Sequence, residues 1–336
     1  MEALSEFRLL RPRTLSALLA DRARNRDGQL IGGGTDLLVN MRRGIVAPPV
    51  LIDVTGVDEL RTLATDAEGL SIGAAVTLAE LATHRGVVEN YPVVAQAAQS
   101  VAGPTQRNMG TVGGNLCLDT RCIFYNQSQW WREANRHCLK TTGDICHVAP
   151  GSRGVCFATF SGDLAPALLT LNAEVDIVGP VGRRRVPLAE LYIGHARHDA
   201  SGAGDGKRYL ALAAGEMVER VRARPAPRLR SAYDKIRIRR SIEYPVAGVA
   251  VALEREGERL VELRVAITGT NPRPVLLDGT AELTGGGLDE RVLQGLDDLI
   301  REQVMSMKTT FTPGHYRRRV AGVLARRLLV RLFSEA

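Results

Sequence analysis

All five cysteines of this 336-residue chain lie between positions 117 and 156, directly after a glycine turn, GTVGGN (110–115). An odd number of cysteines does not suit a disulfide framework, and the N-terminal stretch MEALSEFRLLRPRT lacks the apolar segment of a signal peptide. We therefore expect a cytoplasmic protein. In a reducing compartment, clustered cysteines more often form a metal or catalytic site than disulfides. The cysteine window predicts such a site.

The residues alone leave the identity of the metal open. A [4Fe–4S] cluster needs four thiolates, which the window can supply. Zinc is the main alternative, although structural zinc sites usually contain a C-x₂₋₄-C pair and only Cys117 and Cys122 approach that spacing. His137 and His147 each adjoin a cysteine, and we interpret them as solvent-facing or hydrogen-bonding residues rather than ligands.

Two glycine turns precede the cysteines, one in QLIGGGTDLLVN (29–40) and one in GTVGGN. Glycine lets the backbone approach a ligand closely, and clustered backbone N–H groups bind phosphate oxygens. Two such turns in one domain suit a ligand with two phosphates. The first turn is not a dinucleotide fingerprint, because Leu37 stands where the third glycine would be. The alternative interpretation is a pair of tight turns at strand ends.

The order of elements predicts an α+β fold in two domains, 1–219 and 220–336. Strands and helices are mixed without strict βαβ repetition. Thr77 with Glu80 predicts a capping box at a helix start. Beyond residue 220 we expect three strands, SAYDKIRIRR, VAGVAVALERE and RLVELRVAITGT, and then a helical end over 288–334.

The net charge of +7 comes partly from arginines in the C-terminal stretch 315–333. Apolar residues at near-helical spacing there predict an amphipathic helix packed on its own domain: Val320, Leu324, Leu328 and Leu332. We do not expect nucleic-acid binding, because aromatic residues make up only 4% of the chain and do not alternate with the arginines. The apolar stretches are too short to span a membrane, so we expect no membrane association.

Four segments in this order resemble the FAD-binding medium subunits of the xanthine dehydrogenase, or molybdenum hydroxylase, family: IGGGTDLLVN, GTVGGN, SGDLAPALLTLNAEV and SAYDKIRIRRSIEYPVAGVAVAL. The resemblance covers essentially the whole chain. It implies a two-part FAD-binding domain followed by a C-terminal α+β domain of the CO dehydrogenase flavoprotein type. One departure is an insertion at about 118–158 that holds four cysteines. It is similar to the insertion in β subunits of 4-hydroxybenzoyl-CoA reductases, which carry an extra [4Fe–4S] cluster.

The resemblance also implies roles for individual residues. It makes four cysteines the cluster ligands: Cys122, Cys138, Cys146 and Cys156. Cys117 becomes a small buried residue, although an exchange between Cys117 and Cys122 stays open. Backbone N–H groups for the FAD diphosphate come from the first loop (Ile31, Gly32, Gly33, Gly34, Thr35, Asp36, Leu37 and Leu38) and from the second (Thr111, Gly113, Gly114 and Asn115).

Three further residues carry implied FAD contacts. Asp163 contacts the cofactor, Lys235 lies near the isoalloxazine, and Val101 packs on the flavin. The alternative for Asp163 is an N-cap of the helix LAPALL, a role that is compatible with the first. The alternative for Lys235 is an ordinary surface lysine on a strand.

No segment resembles a substrate site, a molybdopterin site or a [2Fe–2S] motif, which in the family lie on two other subunits. We expect an electron-transfer subunit of a heterotrimer. By resemblance, electrons pass from reduced ferredoxin through [4Fe–4S] and FAD to [2Fe–2S] and molybdenum, and 4-hydroxybenzoyl-CoA is dehydroxylated to benzoyl-CoA. The alternative is another molybdenum hydroxylase, oxidising a heteroaromatic or aldehyde substrate. A remote alternative is a zinc-stabilised, flavin-free protein.

Overall fold

The computed structural model describes residues 4–194, 204–239, 242–305 and 307–335. The strands within these ranges are β1 Arg8–Leu10, β2 Gln29–Ile31, β3 Val50–Asp53, β4 Leu63–Asp66, β5 Gly69–Gly73, β6 Glu174–Gly179, β7 Gly182–Pro187, β8 Met217–Ala223, β9 Arg230–Ile236, β10 Ala247–Glu256, β11 Arg259–Thr268 and β12 Val275–Leu276. The helices are α1 Leu15–Arg24, α2 Leu37–Arg42, α3 Leu78–Thr83, α4 Arg85–Asn90, α5 Pro92–Ser100, α6 Pro104–Met109, α7 Val112–Leu116, α8 Gln129–Ala134, α9 Leu164–Thr170, α10 Glu290–Gln303 and α11 Gly314–Ser334.

The strands form three sheets. A small parallel sheet has the order β1-β3-β2, a five-stranded antiparallel sheet has the order β4-β5-β8-β6-β7, and a four-stranded antiparallel sheet has the order β12-β11-β10-β9. The predicted α+β class is confirmed. The predicted division at residue 220 falls inside β8, and the chain passes from the second sheet to the third between β8 and β9.

The four-stranded sheet is packed on both faces because side chains alternate along its strands. On β10, Val249, Val251 and Leu253 face the core that contains α10 and α11. Ala250, on the opposite face, belongs to the core of the five-stranded sheet and of helices α5 and α9. This small side chain allows α9 to lie close against the strand. The first two thirds of the chain therefore pack against the C-terminal third through this face of the four-stranded sheet.

Two local predictions are confirmed. Thr77 and Glu80 form a capping box, with Thr77 N–H donating to Glu80 Oε2 (2.8 Å) and Glu80 N–H donating to Thr77 Oγ1 (3.2 Å). The C-terminal helix α11 packs on its own domain through Leu324, Leu328 and Leu332, which are buried against β10. The predicted helical end is divided into α10 and α11 by residues 304–313. No helix among the described residues is long and apolar enough to cross a membrane.

Candidate functional site: two glycine loops and a cysteine-lined cavity

The two glycine loops lie against each other. A Cβ atom placed on Gly33 would lie 1.8 Å from the Met109 carbonyl oxygen, and one on Gly32 would lie 2.6 Å from Thr111 Oγ1. These positions require glycine because any side chain would drive the loops apart. The end of β2 and the start of α7 thus form one continuous backbone surface, as expected for two loops that hold one ligand.

The loops differ in the backbone donors that they offer. Among the described residues, none accepts a hydrogen bond from the N–H groups of Gly33, Gly34 or Thr35. The second loop has no such free set. Gly113 N–H donates to the Ala74 carbonyl (2.8 Å), and the N–H groups of Gly114 and Asn115 donate to Thr111. Ala74 and Thr111 therefore engage three of the four donors predicted in the second loop, and the FAD contacts of both loops stay predictions.

Asp36 connects the first loop to two distant parts of the chain. Its carboxylate accepts from Arg121 Nη1 (2.6 Å), from Tyr244 Oη (3.1 Å) and from Asn40 Nδ2 (3.0 Å). The Arg121 guanidinium also lies over the Tyr244 ring, 4.2 Å from its centroid. Sequence reasoning missed Arg121 and Tyr244, and the only local signal was the position of Arg121 beside a cysteine.

Asp163 and Lys235 meet in the interior. Lys235 Nζ lies 2.8 Å from Asp163 Oδ1, and both side chains are at most 3% exposed. Asp163 also accepts from Tyr233 Oη (2.6 Å), and burial strongly raises the pKa of that tyrosine. The predicted N-capping bond of Asp163 is absent. Instead, Leu164 N–H donates to Asn115 Oδ1 (3.1 Å), so the second glycine loop is joined to the start of α9.

The remaining predicted FAD residues lie at the first glycine loop or against the largest core. Ile31 ends β2, and its carbonyl accepts from Val54 N–H (3.0 Å). Leu37 and Leu38 begin α2. Val101 follows α5 and packs against the largest core, while its carbonyl accepts from Arg107 Nη1 (2.8 Å).

The inserted segment forms a separate buried centre. A small cavity is lined by all four predicted ligands, Cys122, Cys138, Cys146 and Cys156, together with Phe124, Tyr125, Lys140 and His147. The four cysteines are at most 8% exposed. Burial raises the pKa of Cys122 to about 11 and that of Cys156 to about 12. Cys117 lies outside this lining and packs against the largest core.

The four cavity cysteines form no metal-binding group in this structure. Among the described residues, no three His, Cys, Asp or Glu side chains are placed to hold a metal ion, and all five cysteines are free thiols. The [4Fe–4S] cluster expected from the sequence stays a prediction.

Polar and aromatic neighbours complete the cysteine cavity. Ala158 N–H lies 3.5 Å from Cys156 Sγ, and Thr141 Oγ1 lies 3.9 Å from Cys138 Sγ. Phe124 contacts the rings of His147 and Trp131. Trp130, by contrast, is 67% exposed and does not shield the cavity from water.

Comparison with known proteins gives two family matches. Residues 5–223 match a family described as the FAD binding domain in molybdopterin dehydrogenase. Residues 231–332 match the CO dehydrogenase flavoprotein C-terminal domain. The predicted domain types are thereby confirmed, and the flavin-free alternative is wrong.

Individual relatives agree with these matches. The chain is 32% identical to the aldehyde oxidoreductase FAD-binding subunit PaoB of Escherichia coli K12, over 77% of this chain and 80% of the relative. It is 25% identical to the carbon monoxide dehydrogenase medium chain of Hydrogenophaga pseudoflava, over 90% and 88%. In fold it resembles a chain of CO dehydrogenase from Oligotropha carboxidovorans (TM-score 0.79, 20% identity, 99% and 100% covered) and one of quinoline 2-oxidoreductase from Pseudomonas putida 86 (0.75, 22%, 98% and 98%).

Proposed function

This chain belongs to the family of FAD-binding medium subunits of molybdenum hydroxylases, and we propose that it is an electron-transfer subunit that holds both FAD and a [4Fe–4S] cluster. When bound, FAD exchanges one or two electrons and the cluster exchanges one. The observation that carries the two-cofactor proposal is the convergence of four cysteines from one insertion on a single buried cavity.

For FAD, the first loop supplies the phosphate-binding donors in this proposal. The free N–H groups of Gly33, Gly34 and Thr35 face no acceptor among the described residues, as a diphosphate site requires. Gly32 and Gly33 keep the backbone accessible beside the second loop. Asp163 and Lys235 hold β9 and the start of α9 in place, and their charges compensate each other. We therefore assign a positioning role to Lys235, which the resemblance places near the isoalloxazine.

For the cluster, the ligands in this proposal are the four cavity cysteines. Burial disfavours the thiolate form of Cys122 and Cys156 in the metal-free chain, so these two thiols would lose their protons on serving as iron ligands. Aromatic and aliphatic side chains limit access of water, and the N–H group of Ala158 is directed at the Cys156 sulfur. Such contacts set the potential of an iron–sulfur centre.

The partners in this proposal are a molybdopterin-binding large subunit and a [2Fe–2S] small subunit, in a cytoplasmic complex. Relatives named as medium chains or FAD-binding subunits support a multi-subunit enzyme. The five cysteines are free thiols, as suits a reducing compartment.

The proposed electron donor is a reduced ferredoxin that docks on the cleft between α10 and α11. This cleft is lined by His315 and five arginines, Arg301, Arg318, Arg319, Arg326 and Arg327. Arg326 is paired with Asp297 and Glu290. Arg319 and Arg327 are exposed and pair with no carboxylate among the described residues. An acidic protein fits such a surface, because complementary charge speeds encounter.

For the substrate of the whole complex, we place an aldehyde first, because the relative with 32% identity belongs to an aldehyde oxidoreductase. The second candidate is reductive dehydroxylation of 4-hydroxybenzoyl-CoA, which the sequence of the cysteine insertion favours.

The test is to purify the native complex without oxygen and supply each substrate with a matching redox partner. Aldehyde-dependent reduction of an acceptor dye supports the first assignment. Conversion of 4-hydroxybenzoyl-CoA to benzoyl-CoA by reduced ferredoxin supports the second. If neither reaction occurs in a complex with full cofactor content, both substrate assignments are wrong.

A further inference from the structure

Arg317 is a fully buried cation without a carboxylate partner among the described residues. Its side chain is 0% exposed and makes hydrogen bonds to neutral oxygens: Nε donates to the Val246 carbonyl (3.1 Å), and Nη1 donates to the Met307 carbonyl (3.0 Å) and to Thr309 Oγ1 (2.7 Å). A guanidinium stays charged at neutral pH, and a buried charge is costly unless an opposite charge compensates it.

The position on α11 increases this cost. Arg317 lies in the first turn of a 21-residue helix whose first turn contains no acidic residue. The N-terminus of a helix carries partial positive charge, so it disfavours a cation. The fold therefore places a positive charge where both burial and the helix oppose it, and a compensating anion has to come from elsewhere.

The surroundings of Arg317 lead directly to the cysteine cavity. Thr309, which accepts from the guanidinium, also accepts from the backbone N–H of Ile123 (2.9 Å), the residue after Cys122. The Thr309 hydroxyl lies 2.7 Å from the Thr159 hydroxyl. The backbone of Thr159 is hydrogen-bonded to the backbone of Arg121, the residue before Cys122. Arg317 thus supports both sides of the first proposed cluster ligand.

We propose that Arg317 is the buried counter-charge of the [4Fe–4S] cluster and raises its reduction potential. This inference rests on the proposed function. Four thiolates give a [4Fe–4S] centre a net negative charge, which grows by one on reduction, and net charge is one of the factors that set its potential. A fixed cation nearby favours the reduced form, because it interacts more strongly with the larger negative charge.

Lys140 differs from Arg317 in its charge balance. It also lines the cavity, but its ammonium lies 2.6 Å from Asp119 Oδ1. The opposite charges of Lys140 and Asp119 therefore largely cancel in their effect on a group in the cavity. Arg317 therefore supplies the uncompensated positive charge among the residues described around the cavity.

The test is a redox titration of the full chain, purified without oxygen and followed by EPR at low temperature. Arg317→Met removes the charge at similar side-chain volume. Arg319→Met is the matched control, because Arg319 is two positions further along α11 and is exposed beside the cleft between α10 and α11. We expect Arg317→Met to shift the reduction equilibrium towards the oxidised form by about tenfold, which is 59 mV for one electron. We expect Arg319→Met to shift it by less than about threefold, because solvent screens that charge.

Thr309→Asp provides a second route in case Arg317→Met does not fold. It introduces a carboxylate beside Nη1 and compensates the cation without removing it, so the potential again falls. Wild-type potentials in Thr309→Asp and in any folded Arg317→Met would overturn the inference but leave the cluster in place. A wild-type chain without iron, sulfide or an EPR signal on reduction would instead refute the proposed function.

Discussion

Lys235 and Asp163, which are 72 residues apart, form a buried ion pair with an Nζ–Oδ1 distance of 2.8 Å. Lys235 belongs to β9 of the four-stranded sheet, and Asp163 immediately precedes α9 in the core of the first part of the chain. Tyr233, also on β9, donates to the same carboxylate oxygen. The pair therefore joins the two main parts of the protein at the second glycine loop.

Breaking this pair on one side destabilises the protein strongly. We expect Lys235→Met to lower the free energy of unfolding by about 3–5 kcal/mol, because it leaves Asp163 buried without its counter-charge. Lys235→Met with Asp163→Leu recovers much of that loss. Denaturant unfolding at pH 7 measures the effect, with Arg85→Met as the control because the Arg85–Glu89 pair is exposed. Equal stability of Lys235→Met and the control would contradict this account.

The contact between the glycine loops predicts a specific loss of FAD. Gly33→Ala places a methyl group on the Met109 carbonyl and separates the loops, so we expect the dissociation constant for FAD to rise by about tenfold or more, or about 1.4 kcal/mol. Gly286→Ala is the control, since a Cβ there meets no atom within 4 Å. Fluorescence titration of the flavin-free chain measures both. Unchanged affinity in Gly33→Ala would mean that these loops do not hold the cofactor.

Arg121 couples the flavin loop to the cysteine module. Replacing it by Met removes a charged hydrogen bond to Asp36, a contact that typically contributes about 1.5–3 kcal/mol, so we expect FAD affinity to fall by about tenfold. Arg42→Met is the control, because Arg42 is exposed at the other end of α2. Tight FAD binding by Arg121→Met would show that the ion pair serves only the module itself.

Cys117 and Cys122 have different chemical roles in this account. Cys122→Ser disrupts the cluster, whereas Cys117→Ser keeps the full iron content. Burial raises the pKa of Cys117 to about 12, so at pH 8 only about 10⁻⁴ of this thiol is ionised and alkylation of the folded chain is slow. In the unfolded chain this thiol has a pKa of about 8.5. Burial of the neutral thiol therefore contributes fully to the free energy of unfolding below about pH 8.5, and this contribution declines as the pH rises towards 12. Rapid labelling of Cys117 at pH 8, detected by mass spectrometry, would contradict this assignment.

The basic cleft predicts how an acidic donor reduces the protein. Charge reversal in Arg319→Glu/Arg327→Glu slows reduction by ferredoxin and weakens the dependence of the rate on ionic strength. Arg61→Glu/Arg85→Glu changes the net charge equally at exposed positions outside the cleft and serves as the control. Stopped-flow kinetics at low and high salt measure the reduction rates of both double variants. Identical rates in both variants would exclude this cleft as the docking surface.

Local patterns in the sequence predicted local structure well. The capping box at Thr77 and the apolar face of α11 depend on residues three or four positions apart, so spacing is enough to identify them. The set of four cysteines followed from the family resemblance, since spacing alone left an exchange between Cys117 and Cys122 open. The structure brings those four together and separates them from Cys117.

Long-range polar contacts could not be read from the sequence. Asp163 stands at the N-cap position of α9 but makes no side-chain capping bond, because Lys235 and Tyr233, 70 or more residues away, engage its carboxylate. Nothing in the pattern of α11 distinguishes the fully buried Arg317 from the exposed arginine at 319. Such contacts depend on how the sheets and helices pack, which residue spacing does not encode.

The central claim is that one chain holds FAD and a [4Fe–4S] cluster, and the most direct test is cofactor stoichiometry. The chain is purified without oxygen, and iron, acid-labile sulfide and released FAD are measured against protein. The account predicts about four iron, four sulfide and one FAD per chain, with iron and sulfide lost in Cys122→Ser and FAD retained. One FAD with no iron or sulfide in the wild-type chain would contradict it.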